Sequence, residues 1–195
     1  MLPTKLVLAS ASPRRRELLE QAGISYTLCP VDVDEHLEVR GAQLVEALAE
    51  RKARAAWAKH PRDIILGADT MVYVDEQPLG KPQDAQDALR MLRLLQGRDH
   101  LVRTGVCVID GPSGLVLCDS AQTTVYFDPM DDEEIRCYIA SGEPYGKAGA
   151  YAVQGIAGLF VRRLEGSCSN VIGLPLHLVR ALLGRIQNNT LKQEA

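Results

Sequence analysis

Asp69 lies where an ionised group is hardest to keep. It interrupts the apolar run Ile64-Ile65-Leu66-Gly67-Ala68-Asp69-Thr70-Met71-Val72, whose composition is that of a strand and not of a turn. A carboxylate buried in such a strand is unfavourable unless it is paired with a cation or coordinates a metal. The chemistry then open to it is metal-assisted. A second carboxylate, Glu35, closes the cluster Asp32-Val33-Asp34-Glu35, and hard divalent cations take oxygen donors of this kind. Taken alone, the acidic cluster reads more readily as a solvated loop.

Cationic groups complete the set. Ser10-Ala11-Ser12-Pro13-Arg14-Arg15 joins an apolar segment to a helix start, where free backbone N–H groups, the positive end of the helix dipole and two guanidinium groups suit a phosphate. The same residues also describe a capped surface helix with solvated arginines. Lys52 shares four-residue spacing with Leu44, Leu48 and Ala56, so it belongs to the apolar face of its helix. There it either snorkels to water or meets a buried anion. Lys81, in Gly80-Lys81-Pro82, is held extended by the proline after it, close to a helix start. Four cations at element ends or on an inward face, with carboxylates alongside, fit phosphate-plus-metal chemistry better than four accidents.

Other chemistries lack their residues. Gly142-Glu143-Pro144-Tyr145-Gly146-Lys147-Ala148 imitates a Walker loop, but it is one residue short and has Ala148 where the metal-binding hydroxyl belongs. No Gly-x-Ser-x-Gly elbow occurs, and His36, His60, His100 and His177 stand apart, which removes the serine-hydrolase and zinc readings. The five cysteines are odd in number and scattered, with no Cys-x-x-Cys pair, the pattern of reduced thiols in a cytoplasmic protein. A net charge of −3 and a pI near 5.8 argue against nucleic-acid binding, which needs a broad basic surface. The apolar stretch at residues 6–9 is too short for a secretion signal and is followed by arginines. No run approaches a membrane span, so no membrane partner is expected. With 46% hydrophobic and 24% charged residues in 195, the chain suits one sizeable domain, or two small lobes packed around a cleft.

Positioning the candidate groups falls to alternating strands and helices. Residues 5–9 read as a short buried strand, after which Ser12 and Pro13 open a helix that Gly23 ends. Residues 24–33 form a second extended segment leading to the acidic loop, and residues 42–59, rich in Ala, Leu, Glu, Lys and Arg, a long helix. The strand over 64–74 carries Asp69, a turn follows at Asp75-Glu76-Gln77, and Pro82 starts a helix ending at Gly97. Residues 101–109 and 115–127 form an antiparallel pair around Asp110-Gly111-Pro112-Ser113-Gly114. A helix over 131–140, a strand over 159–164 and a helix after Pro175 complete the chain, with a frayed tail expected over 187–195. The class is α/β, with a mixed twisted sheet and flanking helices.

In order along the chain, Ser10-Ala11-Ser12-Pro13-Arg14-Arg15, Gly67-Ala68-Asp69-Thr70, Gly80-Lys81-Pro82, Gly146-Lys147-Ala148-Gly149-Ala150-Tyr151 with Gln154-Gly155, and Asn170-Val171-Ile172-Gly173-Leu174-Pro175 closely resemble the Maf family. The ordered set is far more specific than any one motif. The resemblance runs from about residue 5 to 185 and implies a single domain over 1–186 with a Maf/Ham1 (inosine-triphosphatase-like) fold, two lobes around a cleft. It implies a nucleotide pyrophosphatase acting on a nucleoside triphosphate, with a need for Mg2+, Mn2+ or a similar ion.

Carried over by position, Ser10, Arg14 and Arg15 become phosphate-loop residues and Lys52 and Lys81 substrate-contacting cations. Glu35 and Asp69 become the acidic metal-binding pair, with Asp69 catalytic, and Thr70 and Gln154 residues of substrate choice. Thr70 after the aspartate and Gln154 before Gly155 look like the branch acting on dTTP and UTP, whereas a sister branch acting on 7-methyl-GTP typically has Gln after that aspartate. The Gln154 amide both donates and accepts, which suits the O4 and N3–H edge of uracil or thymine. The resemblance also admits a homodimer, and a rival role as a nucleotide-binding regulator of cell division or septum formation.

Overall fold

The computed structural model describes residues 5–193. Among these residues seven strands form one mixed sheet: β1 (Leu6–Leu8), β2 (Tyr26–Leu28), β3 (Ile64–Val74), β4 (Gln77–Leu79), β5 (Asp99–Asp110), β6 (Leu115–Phe127) and β7 (Val161–Glu165). Their order is β2-β1-β3-β5-β6-β7, with β4 paired to β3 outside that path. β1 is parallel to β2 and β3, while β4 is antiparallel to β3 and β7 to β6. The helices are α1 (Pro13–Gln21), α2 (Ala42–Trp57), α3 (Ala85–Leu95), α4 (Asp132–Ala140), α5 (Cys168–Ile172) and α6 (Leu176–Gln193). The expected α/β class with a mixed sheet and flanking helices is the class adopted. Among the described residues, no helix is long and apolar enough to cross a membrane.

The chain divides into two compact units, one of Met1–Asp69, Thr104–Ala121 and Gly173–Ala195, the other of Thr70–Arg103 and Gln122–Ile172. The first unit buries Val7, Ala9, Ile65, Cys107 and Ile109 of the sheet against Ala49, Ala53 and Ala56 of α2. A hydrogen bond with Cys118, helped by burial, pushes the Cys107 thiol well above its ordinary range, so it stays protonated. The second unit centres on Val72, Leu92, Val102, Phe127, Ile135 and Tyr138. Within it His100 is 2% exposed, lies edge-on to Phe127 and Tyr151, and shares a 2.8 Å hydrogen bond between Nε2 and the Tyr151 hydroxyl.

Several local expectations shift. The extended run over 24–33 contracts to β2, which ends the strand order with β1 as its neighbour and is mostly solvent-facing. The helix expected from Pro82 starts at Ala85, because Asp84 is the better cap: its carboxylate accepts the Asp87 N–H at 2.8 Å. Leu159 is not in a strand. It ends a short 3-10 turn, Ile156–Leu159, with 80% of its surface exposed, and β7 begins at Val161. The short helix α5 has no counterpart among the expected elements. Helix α6 runs on through residues 187–193, where fraying is expected, since Gln, Leu and Lys keep good helix propensity. Residues 194 and 195 lie outside the described residues.

Candidate active site

The first unit builds its polar centre from one close contact between a helix and a strand. A Cβ placed on Gly67 would lie 2.3 Å from the Ala49 carbonyl oxygen and 2.8 Å from the Ala53 amide nitrogen, so α2 rests directly on the β3 backbone. Alternation along β3 puts Ile65, Gly67 and Asp69 on one face. Ile65 meets the alanines of α2, and Asp69, two residues beyond Gly67, meets Lys52. Glycine at 67 and the alanine stripe thus set the register that pairs an inward lysine with an inward aspartate.

Lys52 Nζ donates to Asp69 Oδ1 at 2.6 Å and to Glu35 Oε1 at 2.8 Å. The Lys52 and Asp69 side chains are 13% and 10% exposed and that of Glu35 is 52% exposed, so one partner is buried and the other opens to solvent. Glu35 is presented by a turn in which the Asp34 carboxylate accepts the His36 N–H at 2.9 Å. The guanidinium of Arg51, next to Lys52 on α2, donates to the Asp34 carbonyl and ties the turn to the helix. That backbone hydrogen bond, with the His36 side-chain contact beside it, holds the Asp34 carboxyl below its usual range.

The Ser10–Arg15 segment has a different internal logic from the one its sequence suggests. Ser12 occupies the N-cap of α1 but its hydroxyl makes no capping bond. The engaged hydroxyl is that of Ser10: its Oγ accepts the Ser12 N–H at 3.2 Å and Arg15 Nη1 at 2.9 Å. Arg15 is 9% exposed, and its Nε donates to the Gly173 carbonyl at 2.8 Å. Burial drags its pKa down, opposed by the negative charge of Asp69 and, more weakly, of Glu35, so Arg15 feels both acids of the Lys52 site. Arg14 is half-buried and, among the described residues, its guanidinium has no hydrogen-bond partner. Burial also lowers its pKa, against the pull of Glu17. An arginine remains charged under either shift.

The remaining sequence candidates belong to the second unit. Thr70 follows Asp69 in β3, on the opposite face by strand alternation. Lys81 is exposed, and its neighbour Gly80 accepts the Gly149 N–H at 3.0 Å, joining this loop to the glycine-rich segment. Gln154 is exposed in the loop before the 3-10 turn. Neither the Lys81 nor the Gln154 side chain has a hydrogen bond or ion pair among the described residues. Ser10 with Arg15, and Glu35, Lys52 and Asp69, are therefore brought into contact, and Lys81 and Gln154 stand unengaged.

Sequence reasoning passes over Glu143, which it meets only inside a failed phosphate-loop pattern. In the structure this carboxylate accepts the backbone N–H groups of Ile156 and Ala157 at 2.9 and 3.2 Å and the Tyr138 hydroxyl at 2.9 Å. Its signal in the sequence is slight: a glutamate just after Gly142, where α4 has ended.

As to a metal, no group of three or more His, Cys, Asp and Glu side chains converges among the described residues. The Glu35 and Asp69 carboxylates do converge, on a single cationic group. Such a pair offers hard oxygen donors that form part of a coordination shell, with the rest left to ligand and water.

Comparison with known proteins agrees with this architecture. The family described as Maf-like protein matches residues 5–186. A dTTP/UTP pyrophosphatase of Symbiobacterium thermophilum is 48% identical over 89% of this chain and 89% of its own length. One from Geobacter sp. (strain M21) is 48% identical over 90% and 92%, and one from Ruminiclostridium cellulolyticum 43% over 96% and 98%. Among solved structures, the Ham1 protein of Staphylococcus aureus superposes with a TM-score of 0.55 at 15% identity, covering 93% of this chain and 98% of that one. The fold is of the Ham1 type, and the chain belongs to the Maf family.

Proposed function

We propose that this protein hydrolyses dTTP and UTP to the nucleoside monophosphate and pyrophosphate, with Asp69 as the catalytic carboxylate and a divalent cation such as Mg2+ or Mn2+ as cofactor. The observation that carries the reading is Lys52 held between Asp69 and Glu35, at 2.6 and 2.8 Å. Two carboxylates gathered on one ammonium group put hard oxygen donors and a cation side by side, the combination that metal-assisted chemistry on a phosphate uses. Relatives at 43–48% identity named dTTP/UTP pyrophosphatase support the substrate class. Residues 1–186 act as one catalytic domain in this reading, working on the nucleotide pool of the cytoplasm.

Asp69 and Glu35 would hold the cation together with triphosphate oxygens, which suits a two-carboxylate site better than a closed protein cage. When bound, that ion would polarise the α-phosphoryl group and screen its charge. Asp69 takes the proton of the attacking water, whose oxygen bonds to the α-phosphorus as the bond to the α,β-bridging oxygen breaks and pyrophosphate leaves. Lys52 aligns Asp69 and offers its remaining N–H to the phosphates. Arg14, whose guanidinium has no hydrogen-bond partner among the described residues, binds phosphate. Arg15 and Ser10 hold the loop in shape, and Arg15 adds positive field. Lys81 contributes a further charge to the triphosphate, and Thr70 and Gln154 select the base.

Asp69→Asn is expected to abolish turnover while leaving the circular-dichroism spectrum unchanged. A folded, active Asn variant refutes the catalytic role. Product analysis is expected to find pyrophosphate, and orthophosphate would refute the cleavage position. Rates on purine triphosphates or 7-methyl-GTP equal to those on UTP would refute the substrate class.

A further inference from the structure

The loop that carries Gln154 is pinned by two sets of bonds. Across it, the Gly155 N–H closes a turn back onto the Ala152 carbonyl at 3.0 Å. After it, the Glu143 carboxylate accepts the first amides of the 3-10 turn: Oε2 takes the Ile156 N–H at 2.9 Å and Oε1 the Ala157 N–H at 3.2 Å. Oε1 also accepts the hydroxyl of Tyr138 at 2.9 Å, and Tyr138 is itself 2% exposed and part of the second unit's core. Burial raises the Tyr138 pKa, so the hydroxyl remains a donor. For Glu143, burial opposes the charge, but the two amides and the phenol outweigh it and hold the carboxyl below its usual range. The acid is therefore an ionised acceptor at neutral pH, anchored in the core and gripping a surface loop.

Gly155 fits this arrangement. Its backbone, at φ −110° and ψ −149°, does not lie in the left-handed region, so torsion does not demand glycine. Space does: a Cβ would fall 2.1 Å from Glu143 Oε2 and 2.4 Å from its Cδ. The carboxylate lies directly against the backbone that follows Gln154. A glutamine amide reads a hydrogen-bonding edge only if its Cα is held still, because a long side chain on a mobile loop can present the amide from many positions.

We infer that Glu143 is a positioning residue for base discrimination, fixing the backbone of Gln154 through its clasp on Gly155–Ala157. The inference rests on the reading of Gln154 as a base-selecting residue. It predicts that loosening the clasp costs selectivity and substrate affinity, not the chemical step.

The test compares kcat and KM for UTP and CTP, which share the ribose and triphosphate but present different base edges, in four variants of the full chain. Gln154→Ala is expected to lower the UTP-to-CTP ratio of kcat/KM by about tenfold or more, the scale for losing a hydrogen bond. Glu143→Gln, which keeps the shape but cannot accept from all three donors, should lower the same ratio by about tenfold, with KM for UTP rising and kcat changing less than about threefold. Gly155→Ala disturbs the clasp from the other side and should do the same, independently of any folding defect in the first variant. In Gln154→Ala/Glu143→Gln the ratio should fall no further than in Gln154→Ala alone, because both act through one contact. If Gln154→Ala collapses the ratio but neither clasp variant changes it, or if the double variant is fully additive, the positioning role is overturned while the base-reading assignment stands. If Gln154→Ala leaves the ratio intact, the base-reading assignment falls and this inference falls with it.

Discussion

Lys52→Met tests the central contact most directly, because methionine keeps an unbranched side chain while removing the charge that faces Asp69. In the folded protein the ammonium is 2.6 Å from Asp69 Oδ1, with both side chains about nine-tenths buried. At an effective dielectric of ~20, the gross attraction at that distance is about 6 kcal/mol. Desolvation of both ions offsets much of it, and breaking a buried pair from one side typically costs ~3–5 kcal/mol. The half-exposed Glu35 adds little to this, so the lower figure, ~3 kcal/mol, applies. For a chain of this size that corresponds to a fall in Tm of roughly 6–12 °C.

The assay is thermal unfolding followed by circular dichroism in chelator, for the wild type, Lys52→Met, Asp69→Asn and the double variant. Asp69→Asn should cost less than Lys52→Met, because Lys52 keeps Glu35 at 2.8 Å, whereas Lys52→Met leaves a buried carboxylate alone. The double variant, with neither charge, should regain at least half of the Lys52→Met loss. A Lys52→Met protein melting within about 2 °C of the wild type, or a double variant no more stable than Lys52→Met, would refute the account of Asp69 as a buried charge held by Lys52.

The two arginines of the first loop should separate in the same assays. Arg14→Ala, losing no internal bond, is expected to raise KM for UTP about tenfold with little change in Tm, whereas Arg15→Ala breaks the bonds to Gly173 and Ser10 and should cost about 2–3 kcal/mol of stability. Equal Tm values for the two variants would contradict that division. His100 should appear in the pH dependence of stability: burial, aided by the charge of Arg98, lowers its pKa to about 3, while in the unfolded chain it titrates near 6.5. The folded form is thus neutral where the unfolded form takes up a proton, so its contribution is complete above about pH 6.5 and declines as pH falls toward 3, by roughly 2 kcal/mol between pH 6.5 and 5. His100→Gln should flatten the stability curve across that window by one proton's worth, and matching slopes in chemical denaturation would contradict it.

Much of the candidate site is legible in the residues themselves. Asp69 stands out because a charge in an apolar strand needs a reason, and Lys52 because a lysine at the spacing of Leu44, Leu48 and Ala56 must face inward. The element types follow from the same local logic, since periodicity, caps and turn residues act within a few positions of one another. Where expectation and structure part, competing local signals are usually involved: Asp84 outranks Pro82 as a helix start, and Ser10, not Ser12, supplies the hydroxyl that is bonded in the loop before α1.

By itself, then, the sequence determined which residues carry charge into apolar surroundings, the alternation of strands and helices, and the family. Only the tertiary structure decided partnership. It made Lys52 the shared partner of Asp69 and Glu35, turned Arg15 from a free guanidinium into a buried strut bonded to Gly173, and set Glu143 against Gly155. The physical reason is range. Propensity and burial pattern are written in neighbouring residues, whereas a hydrogen bond between residues 15 and 173, or between 143 and 156, depends on how closely backbones approach. At Gly67 that approach is set by the absence of a single Cβ.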